Sequence, residues 1–360
     1  MPGVLFRHLS RTVLWRTVGV VLAFVALLEL LELLERTATI LNRHLGIRGV
    51  LTFAALRLPT MVQQVALIGV LVAAVLTFLQ MQRANEIVAL RAAGLSAYRL
   101  VALLLPAALG IGLFLVVLAD QVLPRSERAF ASWWQDTAGG GGEDTAAGSA
   151  IRLRLGPLLV FADRMRDGGR RLESVRIYER TPDGMAVTRR IEAQAAVFGE
   201  GHWTLVQASG TIVRDGVATQ ESPRDMVWAV TLKPATVVEL GSEEVTLSLR
   251  DTLAVLEGSH ASNRPPSFYR TELYRRLSAP FAVVLMILLG LPVIFAGPRG
   301  SYQSLLPVAC IGAGLGYQVL NGMMCALGEA GTIPPYLAAS TSLICFTCLI
   351  LAAIGNLEES

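Results

Sequence analysis

Lysine is almost missing from this chain. Among 31 basic residues, Lys233 is the only lysine and the rest are arginine. A Walker A loop needs Gly-Lys-Ser/Thr to cradle phosphates, and Lys233 stands between Leu232 and Pro234. ATP hydrolysis through a P-loop of its own is thereby excluded. Charge of either sign is also scarce. Asp, Glu, Lys and Arg make up 16% of the 360 residues, against about 25% in an ordinary soluble domain. Apolar residues are 53% and the mean hydropathy is +0.53. So little charge cannot clothe a large soluble surface, which excludes a wholly cytosolic enzyme. A formal net charge of +3 is too small to point to nucleic acid.

Cysteine is confined to the C-terminal apolar stretches, at Cys310, Cys325, Cys345 and Cys348. The polar middle of the chain therefore has no disulfide framework. Cys345 and Cys348 form a C-x-x-C, but inside the apolar run Leu343–Ile354 and with no histidine after His260. We read all four as small buried apolar residues rather than a metal or redox site. The histidines are scattered at His8, His44, His202 and His260. With no H-E-x-x-H, Ser/Lys or paired intramembrane aspartates, an intramembrane enzyme is excluded.

Long apolar runs are what the sequence has. A bilayer core needs about 20 mainly apolar residues per helix. Six segments qualify: Val13–Leu34, Pro59–Leu79, Leu100–Leu123, Leu277–Ala296, Leu305–Leu327 and Ile333–Ile354. The first contains Arg16, ends in a glutamate-bearing run and lacks a small-x-small cleavage site, so it reads as a retained helix rather than a signal peptide. Between the third and fourth spans the character changes. Gly139–Gly142 form a flexible joint, followed by short alternating or β-branched runs at Ile151–Phe161, Ser174–Tyr178, His202–Val206, Gly210–Val213 and Asp225–Leu232. Turn signals at Asp167-Gly168-Gly169, Pro182-Asp183-Gly184 and Asp215-Gly216 split them, which predicts an antiparallel sandwich or jelly roll. The expected fold is an α-helical membrane protein of six transmembrane helices with an inserted all-β, jelly-roll-like domain. Its parts are residues 1–123, 124–265 and 266–360.

Arginines in the short loops set the orientation. With the N-terminus inside, Arg7, Arg11, Arg83, Arg91, Arg99 and Arg299 are cytoplasmic. The β domain and both Arg36 and Arg57, with Arg43 and Arg48 between them, are then periplasmic, and the C-terminus returns to the cytoplasm. The cytoplasmic loop over residues 85–96 predicts a short amphipathic helix. Asn85 is its N-cap and Glu86 complements the dipole. Ile87, Leu90 and Ala93 share one face, and Gly94 ends it. Such a helix is either a surface-lying connector or a coupling helix seated on a soluble motor, with Glu86 and Arg91 as its charged contacts.

Four motifs resemble a known family, the LptF/LptG permease subunits of lipopolysaccharide export, nearer its LptG side. They are Glu-x-x-x-x-Arg-Ala-x-Gly at Glu86–Gly94, Arg-Leu-x-x-Pro at Arg276–Pro280, Gly-Pro-Arg at Gly297–Arg299 and Gly-x-Ile-Pro-Pro at Gly331–Pro335. They occur in the family's order around an inserted β domain. The resemblance implies a non-catalytic permease of an ABC transporter in the inner membrane of a Gram-negative bacterium. Its expected partners are an LptF-type permease subunit, an LptB-type ATPase dimer and an LptC-type periplasmic bridge protein. No cofactor is bound directly; the partner uses the ATP. Carried over, Glu86 would anchor the ATPase, with Leu90 and Ala92 packing, and Ile87, Arg91 and Gly94 completing the docking segment.

Lipopolysaccharide brings phosphates to the outer face of the membrane, and arginine grips phosphate oxygens bidentately. The candidate lipid contacts are therefore Arg36, Arg57, Arg270, Arg275 and Arg276, with Arg43, Arg48 and Arg264 at the same level. The alternative is that they anchor at the interface or pair with Glu35 and Glu272. Glu29, Glu32 and Glu35 recur every three residues late in span one and should face protein or a water-filled cavity. Here the chain departs from the family, in which a lysine often occupies the position of Glu32. Either the partner subunit supplies the positive charge or a divalent ion bridges Glu32 to phosphate. Replacing Glu32 with lysine is expected to preserve export if that charge serves lipid binding. Gln318 and Asn321 sit at i, i+3 beneath Gly312, Gly314 and Gly316 in span five. They line the transport cavity or bond another helix. A lipoprotein- or efflux-type ABC protein fits worse, because it has four spans with the domain after the first. A non-transporting scaffold or sensor displaying the β domain explains the topology but not the helix at 85–96.

Overall fold

The structure is a computed structural model that describes residues 2–42, 45–86, 97–137, 151–181, 186–214, 217–220, 222–228, 230, 232–241, 247–258, 260–295 and 305–359. Ile87, Leu90, Arg91, Ala92 and Gly94 of the expected docking helix lie outside the described residues, as do Gly139–Gly142 and Gly297–Arg299. The chain divides into two compact units. One comprises residues 1–137 and 270–360, the other residues 138–269.

Among the described residues, six helices are long and apolar enough to cross a membrane. They correspond to the six expected spans, and the first three overrun them at both ends. Helix α1 (Pro2–Asn42) and α2 (Gly46–Arg83) contain 41 and 38 residues. At about 1.5 Å per residue, α2 is about 57 Å long, well beyond a hydrocarbon core of about 30 Å. The third span is α3 (Ala97–Val117), which passes through a π-helical turn at Leu118–Val122 into α4 (Leu123–Asp136). The helical unit thus reaches Thr137 rather than ending at Leu123. Phe130 and Trp134 explain the extension, because both pack on Phe53 of α2, with ring centroids 5.4 and 6.0 Å away.

The helical core is centred on α2 and α7 (Pro266–Gly290), where Leu71, Phe78, Val283 and Met286 are fully buried. A short helix α8 (Pro292–Phe295) adds Val293 and Ile294. Helix α1 and the last two helices, α9 (Leu305–Glu329) and α10 (Pro335–Glu359), turn apolar side chains such as Leu30, Val319 and Ile344 outward. Close approach of helices rests on particular glycines. A Cβ on Gly112 would lie 2.6 Å from the Pro280 Cα, and one on Gly314 would lie 2.1 Å from Leu71 Cδ2. Of the glycines expected to allow tight packing in span five, Gly314 does so; Gly312 has nothing within 4 Å. Cys310 and Cys325 are buried as expected, but Cys345 and Cys348 are on the outward face of α10, because three residues advance a helix by most of one turn and keep both on the same side.

The inserted unit is an antiparallel sheet of eight strands among the described residues: β1 Ile151–Leu155, β2 Leu158–Ala162, β3 Arg164–Arg166, β4 Arg171–Arg180, β5 Val187–Gly199, β6 His202–Arg214, β7 Val217–Gln220 and β8 Arg224–Trp228. Strand neighbours follow chain order, with β2 and β3 sharing one edge of β4, and β7 and β8 sharing one edge of β6. Only one sheet is present among the described residues, and one of its faces is buried. A single core gathers Leu153, Val160, Leu172, Ile177, Trp203 and Leu205 from four of its strands, so the sheet must curve around it. The hairpin between β5 and β6 turns through Glu200 and Gly201, both at positive φ (52° and 83°), the requirement of a type I′ turn. Helix α5 (Pro234–Gly241) closes the core with Val237, and the Trp203 indole donates to the Leu232 carbonyl at 2.7 Å. A second short helix, α6 (Leu249–Leu256), is N-capped by Ser248.

Candidate functional site

Two groups of ionised side chains sit in the helical unit, and the sequence pattern named most of their members. The first joins α1 to α2. Arg57 donates from Nε to Glu32 Oε1 at 2.9 Å, and a terminal nitrogen reaches the same oxygen at 2.8 Å. The Arg57 guanidinium also lies 5.5 Å from the centroid of Phe130, where the face of the ring attracts a cation. The positive charge opposite Glu32 thus comes from this chain itself. Of the two sources expected, partner subunit or divalent ion, neither is needed to pair it. One turn earlier on α1, both carboxylate oxygens of Glu29 are buried without a hydrogen-bond partner among the described residues. Glu35 is exposed.

The second group links α7 to the third span. Glu272 accepts from Arg276 Nε at 2.8 Å through one oxygen and from Arg275 Nε at 2.7 Å through the other. Arg276 is buried, at 8% exposure, and a terminal nitrogen lies 3.9 Å from Asp120 Oδ1. Asp120 stands in the π-helical turn, where the backbone is re-aimed relative to a regular α-helix. Sequence reasoning missed Asp120. The signal was an acidic residue inside an apolar span, a costly placement that calls for a partner.

The remaining candidates separate by contact. Arg36, Arg48 and Arg270 are exposed and form no ion pair among the described residues. Arg43 lies outside them. Arg264 stacks on Phe268, 4.6 Å from its centroid. Asn321 Oδ1 accepts from Ser342 Oγ at 2.8 Å, which ties α9 to α10; of the two roles expected, it takes the interhelical bond. Gln318 is half-buried. At the docking loop, Asn85 departs from the extended backbone of an N-cap. Its φ of 55° is left-handed and its N–H bonds the Gln82 carbonyl at 3.1 Å. Asparagine tolerates this region, so the residue terminates α2, leaving Glu86 at the edge of the described residues.

The chain was compared with known proteins. A family model described as "Lipopolysaccharide export system permease LptF/LptG" matches residues 7–355. The chain is 21% identical over 352 residues to a Haemophilus influenzae protein named lipopolysaccharide export system permease protein LptG, covering 97% of this chain and 98% of the relative. It is 20% identical over 340 residues to the Escherichia coli K12 protein of the same name, covering 94% of each.

Proposed function

Because the chain belongs to the LptF/LptG family of lipopolysaccharide export permeases, we propose that it is an LptG-type membrane subunit of an ABC transporter. In this reading it extracts lipopolysaccharide from the inner membrane and passes it to a periplasmic β-jelly-roll bridge bound for the outer membrane. The protein is a multi-pass inner-membrane protein. The observation that carries the finer reading is the layout: six spans divided three and three around an inserted antiparallel sheet, with the family match running across all of it.

The termini are cytoplasmic and the sheet periplasmic, on the strength of the loop arginines. Hydrolysis belongs to an LptB-type ATPase dimer that seats the segment beginning at Glu86, and the subunit binds no cofactor directly. A second, LptF-type permease completes the membrane portion, and an LptC-type protein receives the lipid. Arg36, Arg48 and Arg270, with no internal ion pair among the described residues, are the first candidates for lipid phosphate. Arg57, Arg275 and Arg276 act as framework, since their charge is already satisfied within the chain.

Affinity purification from a native membrane, followed by ATPase assay of the reconstituted complex, tests the reading. An ATPase subunit should co-purify, and Glu86→Ala should reduce lipid-stimulated hydrolysis to the rate of the ATPase alone. Purification without any ATPase would support a scaffold that merely displays the sheet.

A further inference from the structure

A cavity of about 400 Å³ opens in the β unit beside the turn between β1 and β2. That is the size at which small-molecule sites begin. Two arginines line it, Arg154 from β1 and Arg180 from the end of β4. Both are fixed by their backbones. Arg154 exchanges two hydrogen bonds with Ser262, at 2.6 and 2.9 Å, and the Arg180 N–H donates to the Pro157 carbonyl at 3.1 Å. Their side chains have less to hold. Arg180 Nε is buried and has no hydrogen-bond partner among the described residues. Among the described residues, Arg154 Nε reaches only the Gly156 carbonyl, at 3.5 Å. Burial first, and the neighbouring Arg180 charge second, push the Arg154 pKa down. Glu257 is the lining carboxylate; it is exposed and forms no ion pair among the described residues.

Two guanidiniums lining one cavity repel each other, and an anion between them relieves that repulsion. We propose that this cavity is a binding site for a phosphate-class oxyanion, gripped by Arg154 and Arg180. A phosphomonoester carries about −1.5 to −2 charges near neutral pH, which matches two guanidiniums better than a single carboxylate does. The planar forks present paired N–H donors to its oxygens. Val255 and Leu256 supply an apolar wall, so the space admits the carbon skeleton to which a phosphate is attached. The site is distinct from the ion-paired arginines of the helical unit, and its existence does not depend on the export reading.

The test is calorimetric titration of the full chain in zwitterionic lipid nanodiscs at constant ionic strength. One arm uses inorganic phosphate and the other glucosamine 1-phosphate, the polar end of a phosphorylated glycolipid. Saturable binding is expected, weakened about tenfold by Arg180→Gln and by Arg154→Gln. Arg180→Lys, which keeps the charge and loses the fork, should fall between. Tighter binding of the sugar phosphate assigns the source to a glycolipid headgroup, and equal binding assigns it to free phosphate. Should the arginine variants fail to fold, Pro157→Asp carries the test. It sits in an exposed turn and places a competing carboxylate at the cavity, so binding should be lost with the thermal midpoint retained. No saturable binding in either arm, or unchanged binding in the variants, overturns the proposal.

Discussion

Arg57 and Glu32 hold the first two helices together through a two-nitrogen contact on one carboxylate oxygen, at 2.9 and 2.8 Å. Glu32→Lys is expected to preserve export if the charge at that position serves lipid binding. With Arg57 opposite, the lysine would face a guanidinium. The variant should destabilise the purified chain by about 1–2 kcal/mol, read as a lower thermal midpoint, for a charged contact that is about one-fifth exposed. The swap Glu32→Arg with Arg57→Glu should recover most of that loss. A single variant as stable as the parent would show that the pair does not hold the helices.

The two neighbours on α7 should respond unequally. Arg276 is buried between Glu272 and Asp120, whereas the Arg275 side chain is 54% exposed. Arg276→Ala removes a buried guanidinium from half-buried Glu272 and Asp120 and should cost about 1–3 kcal/mol; Arg275→Ala should cost under about 1 kcal/mol. Thermal midpoints of the two purified variants check this ordering. Charge reversal at Arg276 therefore reports on folding before it reports on lipid, and Arg36 is the cleaner position for a transport assay.

Gly112 and Gly110 make a matched pair on one helix. An added Cβ at Gly112 meets backbone of Pro280 at 2.6 Å, and at Gly110 it meets nothing within 4 Å. Backbone cannot swing aside as a side-chain end can. Gly112→Ala should destabilise by about 1–3 kcal/mol, while Gly110→Ala should be neutral or stabilise by about 0.5–1 kcal/mol. Equal expression and thermal midpoints for the two would contradict the tight crossing of the third and fourth spans.

Trp203→Phe keeps the ring in the β-unit core and removes the donor to the Leu232 carbonyl. An abandoned buried acceptor costs about 1–3 kcal/mol. The change should appear as faster hydrogen exchange along β6 and β8, with exchange in the membrane helices unmoved.

The six spans were legible because a bilayer imposes one simple demand, some twenty apolar residues, and the chain meets it six times. The sheet was legible only where turns broke β-branched runs. Ile151–Phe161 read as one strand and is a hairpin folded at Gly156-Pro157, while His202–Val206 and Gly210–Val213 read as two and are one strand. Strand β5 was missed altogether. Its centre, Arg189–Val197, is rich in Ala, Arg and Glu, which favour helix in isolation; pairing on both sides overrides that preference. At the site, residue types could be named but partners could not. Glu32 and Arg57 are 25 positions apart, and Asp120 and Arg276 are 156 apart. Only the crossing of helices brings them within reach.

The order of the strands has a consequence for how the protein is made. Each of β2 and β4 to β8 finds a partner among strands already synthesised, within one or two positions along the chain, and β3 waits only for β4, the next strand. Contacts of short range form early and at low entropic cost, so the sheet can assemble hairpin by hairpin as the chain elongates. One pairing waits for the end: the bridge between Arg154 and Ser262 joins the first strand to the segment following the last. It joins the two ends of the unit, four residues before the helix of the fourth span begins at Pro266.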